Sequence, residues 1–83
     1  MLDGGEKKRI KLEDDLVVVA GKNIEVYAFS ILLRFEHQPK IRLSSNFFHT
    51  PKMERLISLF KTLNVEEMGR ESHDNRVVVT LSR

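Results

Sequence analysis

The side chains able to do acid–base, nucleophilic or metal chemistry are few in this sequence and poorly spaced for it. His37, His49 and His73 are its three histidines, and cysteine, which would complete a zinc site, is absent. None of the three stands at a ligand spacing such as HxxxH, so they read as loop histidines in solvent. No serine occupies a GxSxG context, and no histidine lies beside an acid partner in a predicted pocket. Glu66-Glu67 reads as a solvated pair on a strand rim. Gly21-Lys22 lacks the second glycine that a phosphate-cradling loop requires. The expectation is a non-enzyme, with no catalytic residue, no metal and no cofactor.

Cationic and aromatic residues remain. Lys22, with Asn23 beside it, leads into a helix start, where free amide N–H groups and the helix dipole attract anions. Lys40 and Arg42 open a strand, Lys52 and Arg55 open a second helix, and Arg70 and Arg76 flank a hairpin. Folded together, these side chains form one basic surface suited to phosphates. Phe47-Phe48 adds rings that stack on bases or wedge into a groove. Neighbouring side chains of extended backbone point opposite ways, so one ring is expected inward and one outward. Phe48, nearer the helix start and placed to staple onto it, is the inward one. Phe47 then stands at the surface, with Asn46 turning the loop before it.

The elements that must hold these residues follow from hydrophobic period. Leu16-Val17-Val18-Val19-Ala20 is a continuous apolar run that predicts a strand covered on both faces or central in its sheet. Gly21-Lys22-Asn23 is a turn, with Asn23 as helix cap. Ile24, Tyr27, Ala28, Ile31, Leu32 and Phe35 recur at helical spacing, and Val26, Phe29 and Leu33 add a second apolar row. A helix covered by its own sheet alone keeps that second row polar, so the row points to burial against another subunit. Pro39 ends the helix, and Lys40–Ser44 alternates as a half-buried strand. Residues 45–49 read as a loop. Thr50 as cap and Pro51 at the first helical position start the second helix, whose apolar face runs Met53, Leu56, Ile57, Phe60 and Leu63. Asn64 closes it. A looser strand over 65–72, a turn at His73-Asp74-Asn75 and a firm strand over 76–82 complete a hairpin.

Eighty-three residues make one domain with a modest core. The arm over 1–15, which carries Gly4-Gly5 and mixed charge, reads as flexible, and the domain occupies 16–83. That arm holds four basic and five acidic residues; the remaining ten basic and seven acidic residues leave the folded part mildly positive. Disulfides are excluded, which leaves oligomerisation as the route to more buried surface. No signal peptide and no membrane-length apolar run is present, so a cytoplasmic protein with no membrane contact is expected. The fold expected is α/β: a two-layer sandwich of order β-α-β-α-β-β, two helices on one face of a four-stranded mixed sheet.

With that element order, Val17-Val18-Val19-Ala20-Gly21-Lys22-Asn23-Ile24-Glu25-Val26-Tyr27-Ala28 resembles the opening of the Alba family of archaeal chromatin and RNA-binding proteins. Met53–Leu63 is similar to the family's second helix, and Arg76–Arg83 to its last strand; the likeness covers 16–83. The resemblance implies a dimer, homomeric or with a related protein, that binds double-stranded DNA or RNA with little sequence preference in a nucleoid-associated, chromatin-type role. Lys22 matches the family's central loop lysine, and Asn23 stands where a second lysine is common. Val26, Phe29, Leu33, Phe60 and Leu63 are expected at dimer or dimer–dimer contacts. The nucleic-acid contacts expected are Lys22, Asn23, Lys40, Arg42, Phe47, Lys52, Arg55, Arg70 and Arg76. The chain departs from the family where Ser44-Ser45-Asn46-Phe47-Phe48-His49 replaces a Gly-Arg loop and where the hairpin is short. A protein-interaction module with the same dimeric fold is the alternative; a third reading is an RNA-binding domain of similar element order, such as the C-terminal domain of translation initiation factor 3.

Overall fold

Each helical or alternating run of the sequence forms an element of its own kind, and burial shows how they stack. The computed structural model describes residues 15–83, so the N-terminal arm, Asp15 excepted, lies outside the described residues. In chain order the elements are β1 (Leu16–Val18), α1 (Ile24–Phe35), β2 (Lys40–Asn46), a 3₁₀ turn (Phe47–His49), α2 (Thr50–Lys61), β3 (Glu66–His73) and β4 (Arg76–Ser82). β1 runs parallel to β2, and β4 lies antiparallel to both β2 and β3. The result is one open, mixed, four-stranded sheet of order β1-β2-β4-β3.

One face of this sheet carries the core. Val17, Ile41, Leu43, Val77, Val79 and Leu81 alternate along three strands and are buried, as a sheet covered on one side requires. Against them lie Tyr27, Ala28, Ile31 and Phe35 from α1, and Met53, Leu56, Ile57 and Phe60 from α2. The rings of Phe35 and Phe60 meet edge to face, 6.4 Å between centroids at 75°, a favoured aromatic geometry.

Several boundaries differ from the sequence expectation for local reasons. The run Leu16–Ala20 predicts a doubly covered or central strand, whereas β1 is a three-residue edge strand with Val18 exposed on the open face. Its valines reflect the fit of β-branched side chains to a pleated strand. β2 continues to Asn46, past the expected loop start. α2 begins at Thr50 with Pro51 inside its first turn, because the 3₁₀ turn already leads into it. Its end is as expected: Asn64 adopts φ 67° and the Val65 N–H donates to the Phe60 carbonyl at 3.0 Å, a left-handed termination. β3 carries an irregularity between Glu67 and Gly69 that inserts Met68. The hairpin tip is only Asp74-Asn75, with Asp74 at φ 49°.

Candidate nucleic-acid interface

Three backbone segments meet at one end of the sheet: the loop after β1, the turn after β2, and the start of β4. The loop after β1 is held from both helices. Tyr27, on the buried face of α1, accepts the Ala20 N–H through its hydroxyl at 2.6 Å. From α2, the Lys52 ammonium donates to the Lys22 carbonyl at 2.7 Å and to the Ala20 carbonyl at 3.3 Å. Lys52 thus commits two of its three donors to the loop that carries Lys22. Its ammonium stands as a clasp first and a surface cation second. The Lys52 clasp is not legible locally, because Lys52 acts on residues thirty and more positions away. Asn23 occupies the cap position of α1 with extended backbone, but its side chain makes no capping bond. Asn23, Ile24, Glu25, Lys52 and Arg55 line the groove between the two helix starts.

The turn after β2 is organised by Asn46. Its side-chain oxygen accepts the His49 N–H at 3.1 Å, and the Thr50 hydroxyl donates to its carbonyl at 3.1 Å. Capping at Asn46 winds residues 47–49 into a 3₁₀ turn, so the extended backbone assumed for the two rings does not form. That overturns the expected split. Phe48 is 89% exposed and Phe47 55% exposed; Phe48 does not staple onto α2. The space beneath the start of α2 is already filled by Ser45 and Met53, both fully buried. An asparagine ahead of the apolar pair is itself a helix-start signal, one that Thr50-Pro51 outweighs in the sequence.

Arg76 completes this end. It pairs in register with Asn46 across β2 and β4, and its guanidinium donates to the Ser44 hydroxyl from Nε at 3.2 Å and Nη2 at 2.7 Å. Two of its five donors are therefore used, and the remainder are available to a ligand. Lys52 and Arg55, with the acidic Glu25, line the groove between the helix starts, while Arg76 lies on the open face of the sheet, alternating with buried Val77. Glu71 is joined to His73 at 3.1 Å.

The other expected cations are placed elsewhere. Lys40 pairs with Ser82 at the opposite end of β2. Arg42, midway along the open face, makes a two-pronged pair with Asp15, at 3.0 Å from Nε and 2.9 Å from Nη2. The Asp15 hydrogen bond is the main cause holding the Arg42 pKa above its ordinary value. Arg70 lies on the helix-covered side, bound by Glu54 of α2 and by Glu67 at 3.0 Å. Glu54 first and Glu67 second raise its pKa. The hydrogen bond from Arg70 in turn lowers the pKa of the Glu54 carboxyl, with the Arg70 and Lys61 charges adding to it and desolvation opposing. A carboxylate with a depressed folded-state pKa contributes stability that is present above the unfolded value and lost as pH falls through the folded one. Glu54→Gln should therefore lower stability at neutral pH by no more than about 1 kcal/mol, since the pair is solvent-exposed. The loss should shrink toward zero below the ordinary carboxylate range, as read by urea melts across pH. A deficit that stays constant into strong acid would refute the charge-based origin.

The residues expected at subunit contacts divide. Phe29 and Leu33 stand two positions either side of buried Ile31 and so point away from the sheet; with Val26 and Leu63 they are exposed. Phe60, expected with them, is fully buried in the core: it falls on the sheet-facing stripe of α2, where Phe35 takes its edge. Among the described residues no group of three His, Asp or Glu side chains is placed to hold a metal ion, and no helix is long and apolar enough to cross a membrane. No protein-family model and no curated relative matches the chain.

Proposed function

We propose that this protein binds nucleic acid, duplex DNA or RNA, chiefly through phosphates and as a dimer in the manner the Alba resemblance implies. The observation that carries this reading is the loop after β1. Lys22 sits on a backbone segment fixed by Tyr27 and Lys52, at the end of the sheet that also carries Arg76 and two exposed aromatic rings. A cation on a rigid loop loses little freedom when it meets a phosphate, which favours binding. Few cations take part, so the affinity should be modest and strongly dependent on salt. A nucleoid-associated role goes with this reading.

The dimer rests on the outer surface of the helices. Val26, Phe29, Leu32, Leu33, Leu59 and Leu63 are exposed there. Six large apolar side chains exposed on the outer faces of two helices make a surface on the order of the 300–600 Å² of the largest patch on a typical monomer, which is often functional. That matches the apolar share of the ~800 Å² each partner contributes to a standard interface, and homodimer interfaces are the more apolar ones. A second copy of the chain fits it.

A second reading, a protein-interaction module on the same dimeric fold, draws on the placement of three cations. Lys40 lies at the far end of the sheet, and Arg42 and Arg70 are held by carboxylates. Titration of duplex DNA and duplex RNA at two salt concentrations separates the two. Lys22→Ala should weaken binding to all sequences alike and reduce the salt slope by about one. No binding to either duplex at low salt would favour the interaction module.

A further inference from the structure

The geometry of Phe47 and Phe48 points to a ligand feature that a phosphate-binding surface does not need. We infer that the two rings form a stacking site for unpaired bases, so that the protein prefers nucleic acid with an unpaired segment over a fully paired duplex. This rests on the nucleic-acid reading above and adds a substrate class to it.

Exposure is the first observation. Rings 89% and 55% exposed leave apolar surface in water. Among the described residues neither ring belongs to the core. Rigidity is the second. Asn46 caps the turn through its side chain, and Thr50 bonds back to the Asn46 carbonyl, so the rings are carried on an ordered backbone rather than a loose tip. A pre-organised ring gives up less entropy on stacking.

Direction decides the class of ligand. In a 3₁₀ turn there are three residues per turn, so successive side chains diverge by about 120° around its axis. Two rings splayed that far apart cannot enter one base step together as a wedge. Bases of a regular duplex present only their edges in the grooves, so a ring meets a base face there only by unstacking a step, at a cost of about a few kcal/mol. Unpaired bases on a flexible strand turn independently, and each can take one ring. The strand's phosphates then pass Lys22 and Arg76, which flank the turn from β1 and from the register partner of Asn46. Stacking on aromatic faces tolerates any base, in keeping with binding of little sequence preference.

The test compares a fully paired duplex with the same duplex carrying a three-nucleotide bulge, in DNA and in RNA arms, by fluorescence anisotropy with the full chain. Leucine keeps the apolar character of each position and removes the π-face, so the variants are Phe47→Leu, Phe48→Leu and the pair together. Both positions are exposed, and circular dichroism should show all three folded. The wild type is expected to bind the bulged duplex about 5- to 100-fold more tightly than the paired one. The double variant should lose that preference while keeping its affinity for the paired duplex. Preference in the RNA arm, the DNA arm or both identifies which unpaired strand is read, and any of these supports the inference. Equal affinity for bulged and paired probes overturns it while leaving phosphate binding intact, as does a preference that survives in the double variant. Failure to bind any probe at low salt overturns both readings.

Discussion

Phe60→Ala should cost about 3–5 kcal/mol of folding stability, the range for removing a buried aromatic ring. Phe60 is fully buried, lies on the sheet-facing stripe of α2 and meets Phe35 edge to face. Truncation leaves a cavity at the point where both helices and the sheet converge, and Phe35 loses the partner that fixes its ring. A domain of this length has a total stability of roughly 4–12 kcal/mol. The variant should therefore be largely unfolded, or melt at much lower urea concentration than the wild type. Phe60→Leu keeps most of the volume and should remain folded with a loss of about 1–2 kcal/mol, so the site can still be measured if alanine abolishes folding. A loss below about 1 kcal/mol for alanine would contradict the core placement and return Phe60 to the subunit contact expected from the sequence. Phe48→Ala provides the contrast. At 89% exposure its loss should fall within about 0.5 kcal/mol of zero, as for other surface positions away from special features.

Phe60 and Phe48 also mark what is legible in a sequence of this kind. Periodic features read well: the stripe from Ile24 predicts α1 and its start, and the helix ends at Phe35, just short of the stop expected from Pro39, because a long amphipathic period admits one solution. Asn64 reads well too, since few residues adopt its left-handed backbone without cost. What fails depends on contacts remote in the chain or on competition between neighbouring signals. The β1 run predicts double cover because apolar content cannot show which strands lie at a sheet's edge. The inward Phe48 follows from assuming extended backbone, and the Asn46 cap overrides that assumption through a single side-chain bond. Arg42 and Arg70 look like available cations in the sequence; Asp15, the partner of Arg42, lies 27 residues away, and Arg70 adds Glu54, 16 residues away, to its near neighbour Glu67. Lys52 reads as a phosphate contact, yet its ammonium holds two carbonyls of the β1 loop. Basic residues are easily found in sequence. Whether each is already committed is a tertiary fact.

Dissociation of the proposed dimer is the largest effect expected from one surface substitution, and Phe29 is the place to test it. Phe29 is 67% exposed and faces directly away from the sheet, so its replacement leaves the core untouched. Light scattering of the wild-type chain at tens of micromolar, a concentration chosen so that mass action favours association, should give twice the 9.7 kDa of one chain. Phe29→Asp places a charge within the apolar surface of each copy, and in a two-fold interface the change acts twice. With a central aromatic anchor worth at least about 2 kcal/mol per copy, the dissociation constant should rise by roughly a thousandfold. The variant should then scatter as a 9.7 kDa monomer with an unchanged circular dichroism spectrum. Ser58→Asp, exposed on α2 on the side away from Leu63, controls for added charge and should leave the mass at the dimer value. A wild-type monomer under these conditions would sink the dimer itself. A dimer that persists in Phe29→Asp would move the interface elsewhere, to the exposed edge of β3 or to the open face of the sheet. If the dimer does form across the helices, each copy keeps its Lys22–Phe48–Arg76 end outside the contact. Two such ends on one rigid particle raise the effective concentration of the second after the first has bound. Phe29→Asp should therefore also weaken binding to a duplex long enough to span both ends, and leave binding to a short one nearly unchanged.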